Sequence, residues 1–303
     1  MSSSNSSQST DKGLSICLFG PHLFQCAGHP FRIRIRGATL DLLVYLVVHA
    51  GRAMRREYVA ETVWGQLNEA RQRSAFNSAV WRIRKTLKDL PGVSLESTSR
   101  TISLSLDDVS VDARSLTNLV RESADHMNAE LADRLLAALD ATDLPFLSGR
   151  VPDWALAEQE RMMNVRLRAM TIMMHWYGDC RRYEDALEIG RDLLTKDPFR
   201  ENAQIDMMWL YVMNGQRANA VRQYQTYTAL LERELAIEPM AETRALYDHI
   251  RCELSTANGM DDERKPQGSS AARGKTEFDC MLKSIERSRR QVYQTLRHQL
   301  GST

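Results

Sequence analysis

The sequence contains no Cys-x-x-Cys pair. Its five cysteines, Cys17, Cys26, Cys180, Cys252 and Cys280, are scattered and odd in number, which argues against a disulfide framework and a zinc site. Reduced thiols in a cytoplasmic protein are the expectation. Long apolar runs are missing too: the longest, Leu42 to Val48, falls far short of the ~20 residues that span a bilayer, so no membrane partner is expected. The serine-rich start, Met1 to Thr10, has no apolar stretch and therefore lacks the centre of a signal peptide. The seven histidines show no His-x-x-x-His spacing, and no Gly-x-Ser-x-Gly elbow occurs. Asp107-Asp108 and Asp261-Asp262 are paired acids in a hairpin exit and a linker, where a solvated role is expected rather than acid–base chemistry. These absences predict a protein that is not an enzyme and has neither cofactor nor metal.

What is present suits two or three domains: 303 residues, 43% hydrophobic and 26% charged. The net charge of +1 hides an asymmetry. Residues 1–111 carry 14 Lys/Arg against 9 Asp/Glu, whereas the remainder is net acidic. A basic first third joined to an acidic remainder suggests a nucleic-acid-binding module coupled to something else.

The order of elements in the first module is readable. Leu14 to Phe19 and Phe31 to Ile35 read as short strands bounded by Gly-Pro and Gly-His-Pro turns. Thr39 to His49 suits a buried helix with Gly51 for a left-handed cap. Arg55 to Trp64 reads as a second helix ended by Gly65, and Glu69 to Asp89 as a third ended by Pro91-Gly92. Val93 and Leu95, then Ile102, Leu104 and Leu106, alternate with polar residues around Ser97 to Arg100, which is the pattern of a β-hairpin.

Between its acidic ends, Glu69 and Asp89, the third helix lacks charge of one sign. From Arg71 to Lys88 there are six basic residues and no acidic one. Phe76, Ala79, Val80, Ile83 and Leu87 form one apolar stripe. At ~100° per residue the other face presents Arg71, Ser74, Ser78, Trp81, Arg82 and Lys85. A surface helix gains from opposite charges three or four apart. One-signed charge instead costs self-repulsion, which a polyanion relieves. Such a face fits the DNA major groove, where arginine pairs with guanine and Ser or Lys reaches bases or phosphates. The candidate DNA-binding residues are Arg71, Ser74, Ser78, Arg82 and Lys85, with Arg73 and Arg100 as phosphate contacts. Trp81 is expected to pack under the hairpin, with a contact to DNA sugars as the alternative.

Three helices, the third basic, followed by a hairpin and preceded by strands, make a winged helix-turn-helix. On these residues the segment resembles the DNA-binding domain of the OmpR/PhoB class. Val80-Trp81-Arg82-Ile83-Arg84-Lys85-Thr86-Leu87 is similar to that family's recognition-helix ending. Val63-Trp64-Gly65 resembles the close of helix two in the SARP-type bacterial activators. The chain departs from the family at the hairpin, where Ser97-Thr98-Ser99-Arg100-Thr101-Ile102 replaces the usual Gly-Tyr-Arg-type stretch.

From Asp112 onward the pattern is helical and repeats. Ala186 and Ala220 lie 34 residues apart, the tetratricopeptide period, and are followed by Pro198 and Pro239 at 12 and 19 residues. Each small Ala allows close helix approach. Gly178 and Gly215 are expected in turns between helices, and each Pro in the first turn of a new helix. Trp154, Trp176, Trp209, Tyr183, Tyr211 and Tyr224 are expected in the helical core. Most of the methionines at 162, 163, 170, 173, 174, 207, 208 and 213 are expected there as filler, a minority lining a partner groove. Pro145-Phe146-Leu147-Ser148-Gly149, Pro152-Asp153-Trp154, Glu160-Arg161, Asp197-Pro198, Gly215-Gln216-Arg217 and the run from Leu235-Ala236-Ile237-Glu238-Pro239 to Thr243-Arg244-Ala245-Leu246-Tyr247 resemble the bacterial transcriptional activation domain of SARP-type regulators.

Ser255 to Thr276 reads as a linker. Within it, Gly268 to Thr276, "GSSAARGKT", resembles a phosphate-binding loop. However, five residues rather than four separate Gly268 from Gly274. The preceding Asp-Asp-Glu-Arg-Lys-Pro-Gln is too charged for the buried strand such a loop requires, and the 27 residues after Thr276 are few for a nucleotide-binding domain. A linker is the expectation. Glu277 to Leu300 recovers helical periodicity through Phe278, Leu282, Ile285, Val292, Leu296 and Leu300. Docking on its own chain and contact between protomers stand as equal readings of this segment. About a dozen residues precede the first strand, too few for a phospho-receiver domain.

The expected fold is mainly α: an N-terminal winged helix-turn-helix with a small β-sheet and wing, followed by a tetratricopeptide-like helical domain. The expected organisation is 1–13 disordered arm, 14–111 DNA-binding domain, 112–254 activation domain, 255–276 linker and 277–300 C-terminal amphipathic helix. The expected function is sequence-specific regulation of transcription on double-stranded DNA, with two protomers on repeated half-sites. The resemblance implies activation through direct repeats and contact with RNA polymerase. A repressor and a tetratricopeptide-type scaffold remain the alternatives, and a small-molecule effector of the helical domain stays open.

Overall fold

The computed structural model describes residues 13–20, 24–26, 29–30, 33–148 and 152–257. The arm before residue 13, the "GSSAARGKT" stretch, the 277–300 segment and the linker beyond Ala257 lie outside them. The fold is mainly helical with small sheets in its N-terminal part. Contacts divide the chain into two compact units, one drawn from Met1–Thr117 and Ala137–Asn164, the other from Asn118–Leu136 and Val165–Thr303.

The first unit begins with β1 (Leu14–Ile16), β2 (Phe24–Cys26) and β3 (His29–Pro30). β2 lies between its two neighbours, antiparallel to both, and β7 (Ser110–Val111) joins the far side of β1 in parallel, with Ile16 opposite Val111. Of the strand expected at Phe31 to Ile35, residues 33–35 are irregular and residues 31–32 lie outside the described set; β1 pairs with β2 and β7 instead. The first expected strand ends at Ile16, and Phe19 instead makes an isolated bridge to Phe146.

Asp112 ties this sheet to the helix that follows it. Its carboxylate accepts the Leu18 and Phe19 N–H groups at 2.8 and 3.0 Å and the Ala113 N–H at 2.7 Å. Burial raises its pKa above the ordinary carboxylate value, and these three donors oppose that rise. Residues Pro145–Leu147 then close on the same strand end: Gly20 N–H reaches Pro145 O and Leu147 N–H reaches Leu18 O. Phe19 and Phe146 meet edge to face at 5.0 Å.

Three helices fill the middle of this unit: α1 (Ala38–Val48), α2 (Arg56–Trp64) and α3 (Glu69–Leu87). All three lie within two residues of their expected ends. α1 is apolar nearly all round because it is covered on several sides, and Leu42, Leu43, Leu46 and Val47 are fully buried. α3 packs on α1 and α2 through Phe76, Ala79, Val80, Ile83 and Leu87, which is the stripe its periodicity predicts. A second sheet orders β4 (Met54–Arg55), β6 (Thr101–Leu106) and β5 (Val93–Ser97). β5 and β6 form the expected hairpin, with Val93 opposite Leu106 and Ser97 opposite Ile102. Gly92 allows its closure: with φ +73°, a Cβ there would lie 2.0 Å from Asp107 O.

The remaining helices are α4 (Asp112–Asp125), α5 (Ala129–Ala141), α6 (Asp153–Asp179), α7 (Tyr183–Lys196), α8 (Glu201–Met213), α9 (Arg217–Leu235) and α10 (Ala241–Ala257). In the second unit α7 to α10 pack as successive neighbours, and α10 also touches α8. Ala186 and Ala220 are fully buried, as close helix approach requires. α9 is five residues longer than α7 (19 against 14), which absorbs most of the repeat's irregular spacing.

Two local expectations are corrected by the structure. Gly178 lies inside the last turn of α6, where a Cβ would press on Leu210 at 3.3 Å; the turn itself uses Arg181 at φ 59°. Pro198 and Pro239 sit in the loops before α8 and α10, not in their first turns. Most of the eight methionines are buried, while Met163 and Met213 are exposed. Of the six aromatics expected in the core, Tyr211 is buried and the other five are half-buried.

Candidate nucleic-acid interface

α3 is fixed at its start by Asn68, whose side chain accepts the Arg71 N–H at 3.0 Å and satisfies one of the orphan donors of the first turn. Gln72 donates back to Leu67 O at 2.8 Å. With the apolar stripe locked against α1 and α2, the opposite face turns outward. Arg71, Arg73, Ser74, Ser78, Arg82 and Lys85 are all exposed. Among the described residues Arg73 has an ion pair, to Glu69 at 3.3 Å across one turn. Arg71, Arg82, Arg84, Lys85 and Lys88 have none among these residues.

Arg100 stands in the wing turn. Thr98 Oγ1 accepts the N–H groups of Arg100 and Thr101 at 3.2 and 3.0 Å, and Thr98 N–H reaches Thr101 O at 2.9 Å. This closes a hydroxyl-stabilised turn that leaves the Arg100 side chain exposed.

A residue that sequence reasoning missed brings wing and helix together. Arg56, at the start of α2, donates to Thr98 O at 2.6 Å, to Ser97 Oγ at 3.2 Å and to Asn77 Oδ1 at 2.5 Å. Its guanidinium also stacks 4.9 Å from the Phe76 ring centre, and its N–H donates to Arg100 O. One planar fork therefore holds the wing turn beside the middle of α3. No local pattern marks it, because Arg55 and Arg56 are adjacent and alike in sequence.

Trp81 does not pack under the hairpin. It is 62% exposed and stands on the outward face with Lys85 Nζ 5.3 Å from its ring centre. The hairpin's inner side is already filled by Ile102 and Leu104, both 1% exposed.

Among the described residues no cluster of His, Cys, Asp and Glu could hold a metal ion, and no helix is long and apolar enough to cross a membrane. What the face offers is guanidinium, ammonium and hydroxyl donors around one aromatic ring. That donor set suits phosphate oxygens and base edges rather than covalent chemistry.

Comparison with known proteins agrees with this architecture. Residues 110–251 match the family described as "Bacterial transcriptional activator domain". The chain is 24% identical over 278 residues to the transcriptional regulatory protein MoaR1 of Mycobacterium tuberculosis, covering 77% of this chain and 79% of that protein. It is 23% identical to MoaR1 of Mycobacterium bovis over 276 residues, with the same shares covered. The solved structure of Mycobacterium tuberculosis EmbR in complex with a low affinity phosphopeptide superposes with a TM-score of 0.69 at 20% identity, covering 90% of this chain and 71% of that one. Residues 110–251 thus carry a bacterial transcriptional activator domain, and the chain is a transcription regulator similar to those of the SARP type, in which a winged helix-turn-helix precedes that domain.

Proposed function

We propose that the protein binds double-stranded DNA in a sequence-specific manner and activates transcription from the bound promoter. The observation that carries this reading is the outward face of α3, where the exposed Arg71, Arg82 and Lys85 have no ion pair among the described residues, Arg73 alone of the proposed α3 contacts meeting an acid, Glu69. Arg71, Ser74, Ser78, Arg82 and Lys85 contact bases or phosphates in a major groove, while Arg73 and Arg100 contact phosphates. Residues 14–111 serve as the DNA-binding domain and residues 112–254 as the activation domain, which contacts RNA polymerase near the promoter. Two protomers occupy direct-repeat half-sites about 10–11 bp apart or a simple multiple of this. The protein works in the cytoplasm as a regulator rather than an enzyme.

The test begins with selection of bound duplexes from a random library by the full chain, followed by affinity measurements across salt. Binding that falls steeply with salt supports the reading. Failure to enrich any duplex, or binding indifferent to salt, would sink it. A promoter–reporter assay with and without the protein separates activation from repression.

A further inference from the structure

The proposed DNA contacts are all polar, yet the outward face of α3 holds an aromatic ring among them. At ~100° per residue, Ser74, Ser78, Trp81 and Lys85 all fall within about 40° of the direction opposite the buried stripe. Trp81 is therefore close to the centre of the face and is flanked by groups that suit DNA.

We infer that Trp81 is a specificity-determining residue that packs against the C5-methyl group of a thymine in the major groove. This rests on the DNA-binding reading and deepens it. A tryptophan side chain buries ~150–250 Å² when covered, and here most of that area is open to solvent. The ring is also held in place. Lys85, one helical turn on, lies over it at 5.3 Å, so the ammonium that attracts phosphate also steadies the aromatic surface. The occupant follows from charge. No acidic residue occurs from Arg71 to Lys88, so the neighbourhood of the ring attracts a polyanion and repels a basic partner.

Within a major groove the one apolar group on a base edge is the thymine methyl, which apolar side chains contact. Indole has a single donor, its Nε1–H, and no acceptor. It cannot make the bidentate contacts by which arginine reads guanine or Asn and Gln read adenine. Its remaining discriminating contact is apolar. The chain thus reads thymine with Trp81, next to the positions where Arg82 and Lys85 read purines or phosphates.

The experiment uses the full chain and a duplex selected from a random library. Each thymine is replaced singly by deoxyuridine, which lacks only the C5-methyl. Wild type is expected to lose about threefold to tenfold in affinity at one or two thymines, the worth of one buried methyl. Trp81→Ala is expected to bind more weakly overall and to be indifferent to the same replacements. If the losses from Trp81→Ala and from deoxyuridine simply multiply at every thymine, the ring contacts sugar or another surface and the inference is overturned. It is equally overturned if Trp81→Ala binds as wild type does. If no duplex is enriched at all, the DNA-binding reading itself falls. Because Trp81 is exposed, circular dichroism of Trp81→Ala is expected to match wild type, which separates a lost contact from a lost fold.

Discussion

The outward face of α3 and the α7–α10 stack handle charge in opposite ways. In the stack, several charged side chains find partners within their own region: Arg200 meets Asp197 at 2.9 Å, Arg233 meets Glu234 at 2.8 Å, and Arg244 meets Glu238. Glu201 accepts from both Met240 N–H and Thr243 Oγ1, which fixes the start of α10 against α8. On α3, the basic residues beyond Arg73 have no ion pair among the described residues. Both regions pack their inner sides equally well, since Ile83 and Leu187 are each fully buried. The difference lies only in what the outer surface leaves unbalanced. A balanced surface is complete by itself, whereas a one-signed face carries repulsion that a ligand of opposite sign removes.

The strongest way to break this contrast is to remove charge from α3. Arg82→Ala with Lys85→Ala is expected to weaken binding to a selected duplex by ~2–6 kcal/mol. The urea midpoint should move little, or rise slightly as like charges are lost. Unchanged affinity at moderate salt, read by fluorescence anisotropy, would remove α3 from the interface and dissolve the comparison.

Arg56 is where the contrast sharpens, because this half-buried cation is fully engaged in holding the wing to α3. Arg56→Ala removes several charge-assisted hydrogen bonds, at about 1.5–3 kcal/mol of stability. It also frees the wing turn that carries Arg100, so affinity should fall as well. Thermal unfolding and duplex titration of the same variant check both effects. Lost affinity with an unchanged melting temperature would make Arg56 a DNA contact instead of a clamp.

In the stack the sensitive positions are internal. Gly190 sits in α7 where a Cβ would come within 2.3 Å of Met207 Sδ and 3.0 Å of Met174 Sδ. Gly190→Ala should cost about 1–3 kcal/mol by overpacking, less whatever the flexible methionines recover by moving. DNA affinity of the folded fraction should stay at the wild-type value. A large affinity change would mean that packing in the stack is coupled to the α3 face.

The elements that the sequence exposed were those set by local pattern. The limits of α1, α2 and α3 and the β5–β6 hairpin follow from apolar periodicity and from Gly and Pro stops, so they were legible. β2 and β4 were not, because strands of two or three residues carry no measurable alternation and exist through their partners. The bridge from Phe19 to Phe146 spans 127 residues, and no local signal announces it. The basic face of α3 was legible from helical spacing alone. The same spacing already put Trp81 outward, and assigning it to the hairpin gave size precedence over direction. Arg56 stayed invisible because its role needs α2, α3 and the wing turn in one place.

The smallest effect comes from making one chemical change in both regions. Arg200→Gln in the stack breaks its 2.9 Å pair with Asp197, in which both side chains are about 30% exposed. An ion pair so open to water is worth ~0.2–1 kcal/mol, and much of its Coulomb energy is screened at physiological salt. The expected result is a shift in urea midpoint near the limit of detection and unchanged DNA binding. Arg82→Gln on α3 breaks no ion pair among the described residues, so its stability cost should be smaller still. Its loss of duplex affinity should nevertheless be the larger of the two by ~1–3 kcal/mol. Identical chemistry gives opposite readouts if one region uses its arginines on itself and the other keeps them for a ligand. Equal affinity losses in the two variants would show instead that net charge, and not the α3 face, governs binding.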